Sequence, residues 1–276
     1  MSKLPDMFDL SERVAIVTGG AGLLGRQFSH TLAEAGASIV VVDIDKDAAD
    51  AVVASLINNG SQAISVCADI TNPKSVHNMV STVLETYRRV DILVNSAAMD
   101  PKFDPEHLEL GTKGIGSFED FPLETWKAAL NVNLTGMFLT CQAVVSPMLE
   151  QKKGVIINIA SIYGVVGPDQ RLYQEQGKQT HYKPVYYTVT KAGVLGLTKY
   201  LATYYAGKNI RVNALTPGGI YNGHDDSFIQ AYGSRSVLGR MAAEDEMNGA
   251  LLFLASDASS YMTGANLVID GGWTAW

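Results

Sequence analysis

Residues 14–25 have the sequence Val14-Ala15-Ile16-Val17-Thr18-Gly19-Gly20-Ala21-Gly22-Leu23-Leu24-Gly25, a short apolar run followed by a glycine-rich turn. The apolar run predicts a buried strand, and the residues that follow have the length and composition of a helix. Glycines between a strand and a helix let the backbone approach a pyrophosphate, whose charge is favoured by the free N–H groups of a helix N-terminus. The stretch therefore predicts a dinucleotide-binding turn with contacts from Gly19, Gly22, Leu23, Leu24 and Gly25.

The rest of the chain repeats this alternation of short apolar runs and helix-length segments. The predicted strands are 14–17, 38–42, 63–67, 92–95, 155–159, 211–215 and 266–269. Short apolar runs joined by helix-length connections are typical of parallel strands that are covered on both faces. The sequence predicts an α/β fold of the Rossmann type, a doubly wound parallel sheet of about seven strands in a single domain spanning 1–276.

Three segments are predicted to be loop insertions, 99–117, 167–184 and 219–238. The first two are rich in proline, glycine and polar residues. Each of these two follows the C-terminal end of a predicted strand, where open α/β sheets bind their ligands. We expect the insertions to cover a substrate, and a surface insertion without a role is the alternative.

The composition excludes several classes of partner. The 276 residues are 47% hydrophobic and carry a formal net charge of −7, and an acidic chain repels nucleic acid at long range. No stretch approaches the roughly 20 apolar residues needed to cross a bilayer, and residues 1–10 lack a secretory apolar run. We expect a cytoplasmic protein that binds neither membrane nor nucleic acid. Cys67 and Cys141 lie in apolar surroundings without CxxC spacing, which favours reduced core thiols.

Asp43 ends the second predicted strand, beyond the glycine turn. A carboxylate at this position can accept hydrogen bonds from both hydroxyls of an adenosine ribose. A 2′-phosphate would meet like charge there and no obvious arginine. The sequence therefore favours NAD(H) over NADP(H), with Asp43 and Ile44 beside the ribose. An exposed loop acid is the alternative interpretation of Asp43.

Further motifs follow in a fixed order. They are Asp69-Ile70, Asn95-Ser96-Ala97-Ala98, Asn131-Val132-Asn133-Leu134-Thr135-Gly136, Ile156-Ile157-Asn158-Ile159-Ala160-Ser161, Tyr187-Thr188-Val189-Thr190-Lys191, Arg211-Val212-Asn213, Pro217-Gly218 and Asp270-Gly271-Gly272. Together they resemble the short-chain dehydrogenase/reductase family over about residues 10–273. The resemblance implies a nicotinamide-dependent oxidoreductase with the catalytic residues Asn133, Ser161, Tyr187 and Lys191. It also implies cofactor contacts from Asp69, Ile70, Asn95, Ala97, Tyr187, Lys191, Pro217, Gly218 and Ile220.

The chain departs from the family pattern at three places. Gly22 stands where the extended, sugar-nucleotide subfamily has a glycine, whereas Leu23 replaces the middle glycine of classical members. The interval from Ser161 to Tyr187 is longer than in classical members, and the extra length coincides with 167–184. The usual threonine after Pro-Gly is replaced within 219–222. Substrate contacts in these segments cannot be copied from the family.

Tyr187 and Lys191 are four residues apart on a predicted helix, so both side chains project from one face. Lowering a phenol pKa from ~10 to ~7 requires roughly 4 kcal/mol of preferential stabilisation of the phenolate. An ammonium about 5 Å away supplies around 3 kcal/mol at an effective dielectric of ~20, and a positive nicotinamide adds more. We expect Tyr187 to act as general base or acid at the reacting oxygen, with Ser161 hydrogen-bonded there and hydride passing to or from nicotinamide. The resemblance implies that Asn133 holds a water that links Lys191 to solvent.

Most residues near the predicted pocket are hydrogen-bonding groups. The candidates for substrate contacts are Met99, Asp100, Tyr163, Asp169, Gln170, Tyr182 and Tyr221. Such a set suits a polyhydroxylated molecule better than a long acyl chain, so we hypothesise oxidation or reduction at a secondary carbon of a sugar-derived substrate. A 3-oxoacyl-thioester or small-ketone reductase is the alternative. A dinucleotide-sensing protein without turnover is a second alternative, against which the retention of Tyr187 and Lys191 argues.

Two further expectations concern metals and subunits. The five histidines show no HxxxH or HExxH spacing and no calcium-loop motif is present, so no metal is expected. Apolar and aromatic residues within 138–145, 194–205 and 273–276 resemble faces that pair subunits in the family, which implies a homodimer or homotetramer. Ordinary core-facing stripes are the alternative.

Overall fold

The predicted alternation of strands and helices forms one parallel sheet in the computed structural model, which describes residues 4–100, 117–175, 178–179 and 181–276. Its seven strands lie in the order β3–β2–β1–β4–β5–β8–β9. Their bounds are β1 Val14–Thr18, β2 Ser38–Asp43, β3 Ala63–Cys67, β4 Ile92–Asn95, β5 Gly154–Ile159, β8 Ile210–Pro217 and β9 Asn266–Ile269. Every neighbouring pair is parallel. The predicted doubly wound sheet is thus confirmed.

Helices connect the strands and cover both faces of the sheet. Their bounds are α1 Leu23–Glu34, α2 Lys46–Asn58, α3 Pro73–Tyr87, α4 Leu123–Leu130, α5 Met137–Gln151, α6 Val185–Tyr204, α7 Asp226–Gly233 and α8 Asn248–Ala255. Asp45 and Asn72 cap α2 and α3 by accepting hydrogen bonds from main-chain N–H groups of the first turn, which satisfies donors that a helix leaves free.

The sheet buries apolar side chains on both faces, which explains why its strands are continuously apolar. In β1, Val14 and Ile16 belong to one core cluster, whereas Ala15 and Val17 belong to the other. Successive strand residues point to opposite faces, so a strand covered on both sides has no polar face. This two-sided core fixes the positions of the strand ends, from which the functional residues project.

The chain reverses its direction across the sheet between β1 and β4. From β1 the order proceeds to β2 and β3 on one side, and β4 then pairs on the other side of β1. Helices leave the sheet on opposite sides at such a switch point, which opens a crevice at the carboxyl ends of the strands. The glycine turn after β1 and the turn after β4 therefore flank the expected ligand site.

The three predicted insertions differ from one another. Segment 99–117 falls almost entirely outside the described residues. Segment 167–184 contains a 3-10 helix, Gln170–Tyr173, and an antiparallel pair of two-residue strands, β6 Gln174–Glu175 and β7 Lys178–Gln179. The interpretation of 219–238 as a loop throughout is wrong, because α7 lies within it. Asp225 caps α7 by accepting a hydrogen bond from the Phe228 N–H.

Two composition-based expectations need correction. By length and composition alone, the helical stretch Leu123–Gln151 could cross a membrane, a test that core helices of soluble proteins also pass. Met137, Val144 and Met148 of this stretch are buried in the core beside the sheet. Cys141 is buried as expected, whereas Cys67 at the end of β3 is exposed.

Candidate active site

The glycine turn is built by close main-chain approach. Gly19 adopts the left-handed conformation with φ +61°, and a Cβ added to it would lie 2.6 Å from the Ala97 Cα. A Cβ on Gly25 would lie 2.0 Å from the Gly19 carbonyl oxygen. Gly22 precedes the first residue of α1 and contributes no side-chain cap, so N–H groups of the first turn remain for an anion. A larger side chain at Gly19 or Gly25 would close this cradle.

Asp43 is held beside the glycine turn. Its Oδ2 accepts a hydrogen bond of 3.1 Å from the Ala21 N–H, and its Oδ1 accepts one of 3.2 Å from the Asp45 N–H. Lys46, three residues further along the chain, pairs with Asp50. This arrangement presents a carboxylate at the predicted ribose position, next to the exposed Ile44.

Two predicted cofactor residues use their side chains within the protein. Asp69 Oδ1 accepts hydrogen bonds from the Thr71 N–H at 2.8 Å and the Thr71 hydroxyl at 2.7 Å. Asn95 is buried and donates to Asn158 Oδ1 at 2.9 Å, while its own Oδ1 accepts from Thr140. The Asn95 side chain therefore stabilises the sheet interior, and its predicted cofactor contact is left to the main chain. The contacts of Asp69 and Ile70 stay predictions.

The turn after β8 rests on an aromatic pair that the sequence did not reveal. The Gly218 N–H donates to the Ile269 carbonyl, and the Gly219 N–H donates to the Tyr232 hydroxyl. The Tyr232 ring stacks on Trp273 with centroids 4.3 Å apart. Ile220 pairs with Ala242. The predicted cofactor residues Pro217, Gly218 and Ile220 thus lie in a turn whose shape is set by α7 and the C-terminal segment.

Ser161, Tyr187 and Lys191 meet at the carboxyl end of β5. Tyr187 and Lys191 occupy the first two turns of α6, and the Lys191 Nζ lies 5.7 Å from the centroid of the Tyr187 ring. The Lys191 ammonium donates to the Ile159 carbonyl at 2.9 Å. Ser161 hydrogen-bonds the Tyr187 phenol and accepts from the Tyr163 N–H at 3.2 Å. The structure therefore brings Ser161, Tyr187 and Lys191, three of the four predicted catalytic residues, close together.

In the protein without cofactor, the Tyr187 phenol is less acidic than usual, so the expected acidic phenol depends on the positive nicotinamide as well as on Lys191. Burial, and secondarily the Asp100 carboxylate, hold the pKa of Tyr187 well above its usual value, while the hydrogen bond from Ser161 lowers it. Burial also lowers the pKa of Lys191 to about 8. Removing a charged group from water costs more than one neighbouring ammonium returns. Deprotonation of Tyr187 thus requires further positive charge near the phenol.

Asn133 joins the site through the main chain of Met99. It lies in a π-helical turn, Asn131–Gly136, between α4 and α5, a distortion frequent at functional sites. Its Oδ1 accepts from the Met99 N–H at 2.6 Å, and its Nδ2 donates to the Met99 carbonyl at 3.1 Å and to the Thr190 hydroxyl at 3.2 Å. Asn133 thereby ties the segment after β4 to α6. Its predicted water stays a prediction.

The predicted substrate contacts separate into two groups. Tyr163 is buried with its ring centroid 6.5 Å from that of Tyr187, and Asp100 pairs with Lys183 at 2.7 Å. In contrast, Asp169 pairs with Arg171 and Arg235, and the Gln170 amide binds the Lys183 main chain. Tyr182 is half-buried and Tyr221 is exposed. Of these candidates, Tyr163 contacts the Tyr187 ring, and Asp100 acts on its phenol by charge.

Lys183 was missed by the sequence analysis. Its Nζ lies 4.0 Å from the centroid of the Tyr187 ring, and only 7% of its side chain is exposed. Lys183 precedes Tyr187 by four residues, the same spacing that identified Lys191. Lys183 lies before Pro184 and so outside α6. Its four-residue spacing to Tyr187 therefore does not place the two side chains on one helix face. The same spacing to a tyrosine was the available signal.

Among the described residues, no group of three His, Cys, Asp or Glu side chains could hold a metal ion. The glycine turn, Asp43 and the Ser161–Tyr187–Lys191 group lie at the carboxyl edge of one parallel sheet, the arrangement expected of a nicotinamide-dependent oxidoreductase. A family profile and relatives that each match over most of the chain show that it belongs to the short-chain dehydrogenase/reductase family. It is an NAD(P)-dependent enzyme that acts on CH–OH groups and interconverts a secondary alcohol and a ketone.

Comparisons with known proteins carry this conclusion. A family profile described as enoyl-(acyl carrier protein) reductase matches residues 20–274. The chain is 35% identical to a D-threitol dehydrogenase of Mycolicibacterium smegmatis, over 97% of this chain and 95% of that protein. It is 36% identical to a 3-oxoacyl-[acyl-carrier-protein] reductase of Synechocystis sp., over 96% of this chain and 98% of that protein.

A solved structure extends the similarity to the whole fold. The crystal structure of a gluconate 5-dehydrogenase from Burkholderia cenocepacia, in complex with NADP and tartrate, superposes with a TM-score of 0.86. The two chains are 28% identical, and the alignment covers 99% of this chain and 100% of the other. Relatives of this enzyme therefore include proteins named for polyol, sugar-acid and acyl-thioester substrates.

Proposed function

We propose that this protein is an NAD(H)-dependent dehydrogenase of a polyol or other sugar-derived secondary alcohol. The observation that carries the reaction is the grouping of Ser161, Tyr187 and Lys191. The polar surroundings of that group support the substrate class, because Asp100 and Tyr163 lie close to the Tyr187 ring. The relative named D-threitol dehydrogenase supports the same class.

The residues present fit a dinucleotide. The close approach of Gly25 to the Gly19 carbonyl leaves a surface without Cβ atoms, where a pyrophosphate can meet main-chain N–H groups. When bound, the nicotinamide supplies the hydride acceptor or donor and, in its oxidised form, a positive charge. Tyr187 and Lys191 are proposed to hold its ribose, as Asp43 holds the adenosine ribose.

Tyr187 is the proposed proton-transferring group. Its Oη takes the proton of the substrate hydroxyl during oxidation and returns it to the carbonyl oxygen during reduction. Ser161 hydrogen-bonds the same oxygen and stabilises the charge that develops there. Lys191 supplies positive charge to the phenolate, and Asn133 holds the segment that carries Asp100 against α6. These four roles stay predictions of the family resemblance and the geometry.

The preference for NAD over NADP rests on Asp43. Its carboxylate accepts hydrogen bonds from the Ala21 and Asp45 N–H groups. Moving the carboxylate aside would break these hydrogen bonds. A 2′-phosphate placed at the ribose would be repelled by this charge. The gluconate 5-dehydrogenase was solved with NADP, which makes the comparison of the two cofactors a direct test.

The central experiment is a substrate panel with wild-type enzyme and the Tyr187→Phe variant. Polyols, sugars and sugar acids are offered with NAD or NADP, and 3-oxoacyl thioesters with the reduced cofactors. We expect turnover of a polyol or sugar with NAD, and its loss in Tyr187→Phe with cofactor affinity largely kept. Turnover confined to 3-oxoacyl thioesters would establish the alternative activity instead. Turnover retained by Tyr187→Phe would contradict the proposed mechanism.

A homodimer or homotetramer is proposed as the assembled form. Phe138 on α5, Tyr200 and Tyr204 on α6, and Trp276 at the C-terminus are large and exposed in the single chain. Exposed apolar side chains on neighbouring helices are suited to pair copies of one protein. Light scattering after size exclusion measures the mass, and a monomer at micromolar concentration would contradict the proposal.

A cytoplasmic location also stays a prediction.

A further inference from the structure

A second lysine shares the space around the catalytic tyrosine. The Nζ of Lys183 lies 4.0 Å from the Tyr187 ring centroid, nearer than the Nζ of Lys191 at 5.7 Å. Lys183 is almost fully shielded from water, which strengthens its field at the ring. A cation over an aromatic face is attracted to the neutral ring. The attraction grows when the phenol loses its proton, because the ring system then carries a full negative charge.

Lys183 is fixed at both ends. The main-chain N–H of Lys183 donates to Gln170 Oε1 at 2.8 Å, and the main-chain carbonyl of Lys183 accepts from Gln170 Nε2 at 3.1 Å. The ammonium donates to Asp100 Oδ1 at 2.7 Å. A lysine head group loses several rotatable bonds of freedom when held in this way. The main-chain clamp and the ion pair together keep the charge over the ring.

Asp100 acts on the phenol with the opposite sign. Half of its side chain is exposed, and it directly follows Met99, whose main chain is held by Asn133. Its carboxylate neutralises the Lys183 ammonium and disfavours the phenolate of Tyr187. The two members of the ion pair therefore exert opposing effects on one catalytic group.

Among the described residues, titratable groups from several elements lie around Tyr187. They are Asp100 after β4, Tyr163 after β5, Tyr173 in the 3-10 helix, Lys183 before α6, and Tyr186 and Lys191 on α6. Within this described set, Asp100, Lys183 and Lys191 are the side chains that carry charge, one carboxylate and two ammonium groups. Burial is the largest influence on the pKa of Tyr187, and these three charges act in addition to it.

We propose that Lys183 is a positioning residue for Tyr187, a second ammonium that stabilises its phenolate, and that Asp100 opposes this effect by pairing with Lys183. The inference rests on the proposed role of Tyr187 as the proton-transferring group. Separation of Asp100 from Lys183 strengthens the cation's effect, and pairing weakens it.

The test is a direct titration of the phenol in the NAD complex. Tyrosine labelled with a carbon isotope at the ring Cζ gives an NMR signal that reports ionisation, and Tyr187→Phe assigns the signal of Tyr187. Lys183→Met should move the titration midpoint upward, so that the phenolate fraction at a given pH falls about tenfold for one pH unit. Lys183→Arg keeps the charge and should stay near wild type. Asp100→Asn should move the midpoint downward.

Kinetics give a second measure that a merely structural role would not move. With the substrate identified by the panel, the rising limb of the pH profile of kcat/KM should shift with the titration, while the affinity for NAD stays unchanged. If Lys183→Met fails to fold, Lys183→Gln, which keeps a polar side chain, takes its place. An unshifted midpoint in the folded neutral variant overturns the inference, as does an unshifted or raised midpoint in Asp100→Asn.

The inference and the proposed function fail in different ways. If Tyr187→Phe keeps full turnover, the proposed mechanism is lost whatever the titration of the phenol shows. If Tyr187→Phe is inactive but Lys183→Met titrates like wild type, Tyr187 stays the acid–base group and only the role of Lys183 is lost. A shift in Lys183→Met that Lys183→Arg reverses supports the inference.

Discussion

The cofactor half and the catalytic half of this enzyme are built in different ways. In the cofactor half, the turn after β1 is shaped by main-chain approach, with no room for a Cβ on Gly25 beside the Gly19 carbonyl. In the proposed catalytic half, side-chain charges are the main feature, since Lys183, Lys191 and Asp100 lie around Tyr187. The first half depends on steric fit, and the second on electrostatic balance.

This difference predicts how each half responds to substitution. Changes in the glycine turn should weaken cofactor binding at every pH, because atoms would overlap whatever their charge. Changes around Tyr187 should alter the pH dependence of activity, because they change the pKa of the phenol.

Lys191→Met should lower turnover by about 10²- to 10⁴-fold, the range expected when acid–base catalysis is lost. It should also stabilise the cofactor-free protein near neutral pH. Burial lowers the pKa of Lys191 to about 8, so the folded state pays for a charge that the unfolded chain holds in water. Lys199→Met, an exposed substitution on the same helix, is the matched control and should change neither property.

The pH dependence of that stability has a definite sign. Between about pH 8 and the ordinary lysine pKa near 10.5, the unfolded chain binds the Lys191 proton and the folded chain releases it. Wild-type stability from this group should therefore rise with pH, by at most about 1.4 kcal/mol per pH unit. Denaturant unfolding across this range measures the slope. Equal slopes in wild type and Lys191→Met would contradict the assignment.

Gly25→Ala should weaken NADH binding by about tenfold to a hundredfold, since overpacking costs about 1–3 kcal/mol. The added methyl would lie 2.0 Å from the Gly19 carbonyl oxygen, and the turn must open to accept it. NADH fluorescence titration measures the affinity. Gly249→Ala on α8 is the control, because its methyl would meet open space. Unchanged NADH affinity in Gly25→Ala would show that the turn is not the cofactor cradle.

The sequence predicted the cofactor half more fully than the catalytic half. Apolar runs located the strands closely, for example 92–95, because a strand covered on both faces has only buried side chains. The direction of the Asn95 side chain, into the sheet interior, depends on contacts with Asn158 that lie far away in sequence. Such tertiary contacts leave no local pattern.

The catalytic half shows the same limit more strongly. The spacing of Tyr187 and Lys191 was readable because both lie on α6, whereas Lys183 reaches the ring from a non-helical segment. The loop interpretation of 219–238 overlooked a local signal, the capping Asp225 before α7. The raised pKa of Tyr187 could not be predicted, because burial is a property of the whole fold.

Asp43→Asn should reduce the preference for NAD by about tenfold or more, because a hydrogen bond to a charged group contributes roughly 1.5–3 kcal/mol. Asparagine keeps the shape and the acceptor for the Ala21 N–H but removes the repulsion of a 2′-phosphate. The ratio of kcat/KM with NAD to that with NADP is the measurement. Asp47→Asn, an exposed acid on α2, is the control. A ratio equal to wild type would refute the role of Asp43.

Arg13→Ala should affect neither half and should cost about 0.5–1 kcal/mol of stability, the range for a partly exposed ion pair. Arg13 immediately precedes β1, at the end of the sheet opposite the functional residues, and contacts Asp257 at 2.6 Å. Although burial raises the pKa of Asp257, the hydrogen bond and charge of Arg13 lower it further, so the net shift is downward. This contribution should be present above the ordinary aspartate pKa and disappear as the pH falls below it. Lys153→Ala removes the longer contact of 3.3 Å to the same carboxylate and should cost less stability. A change in NADH affinity in either variant would contradict the expectation that this ion pair affects neither half.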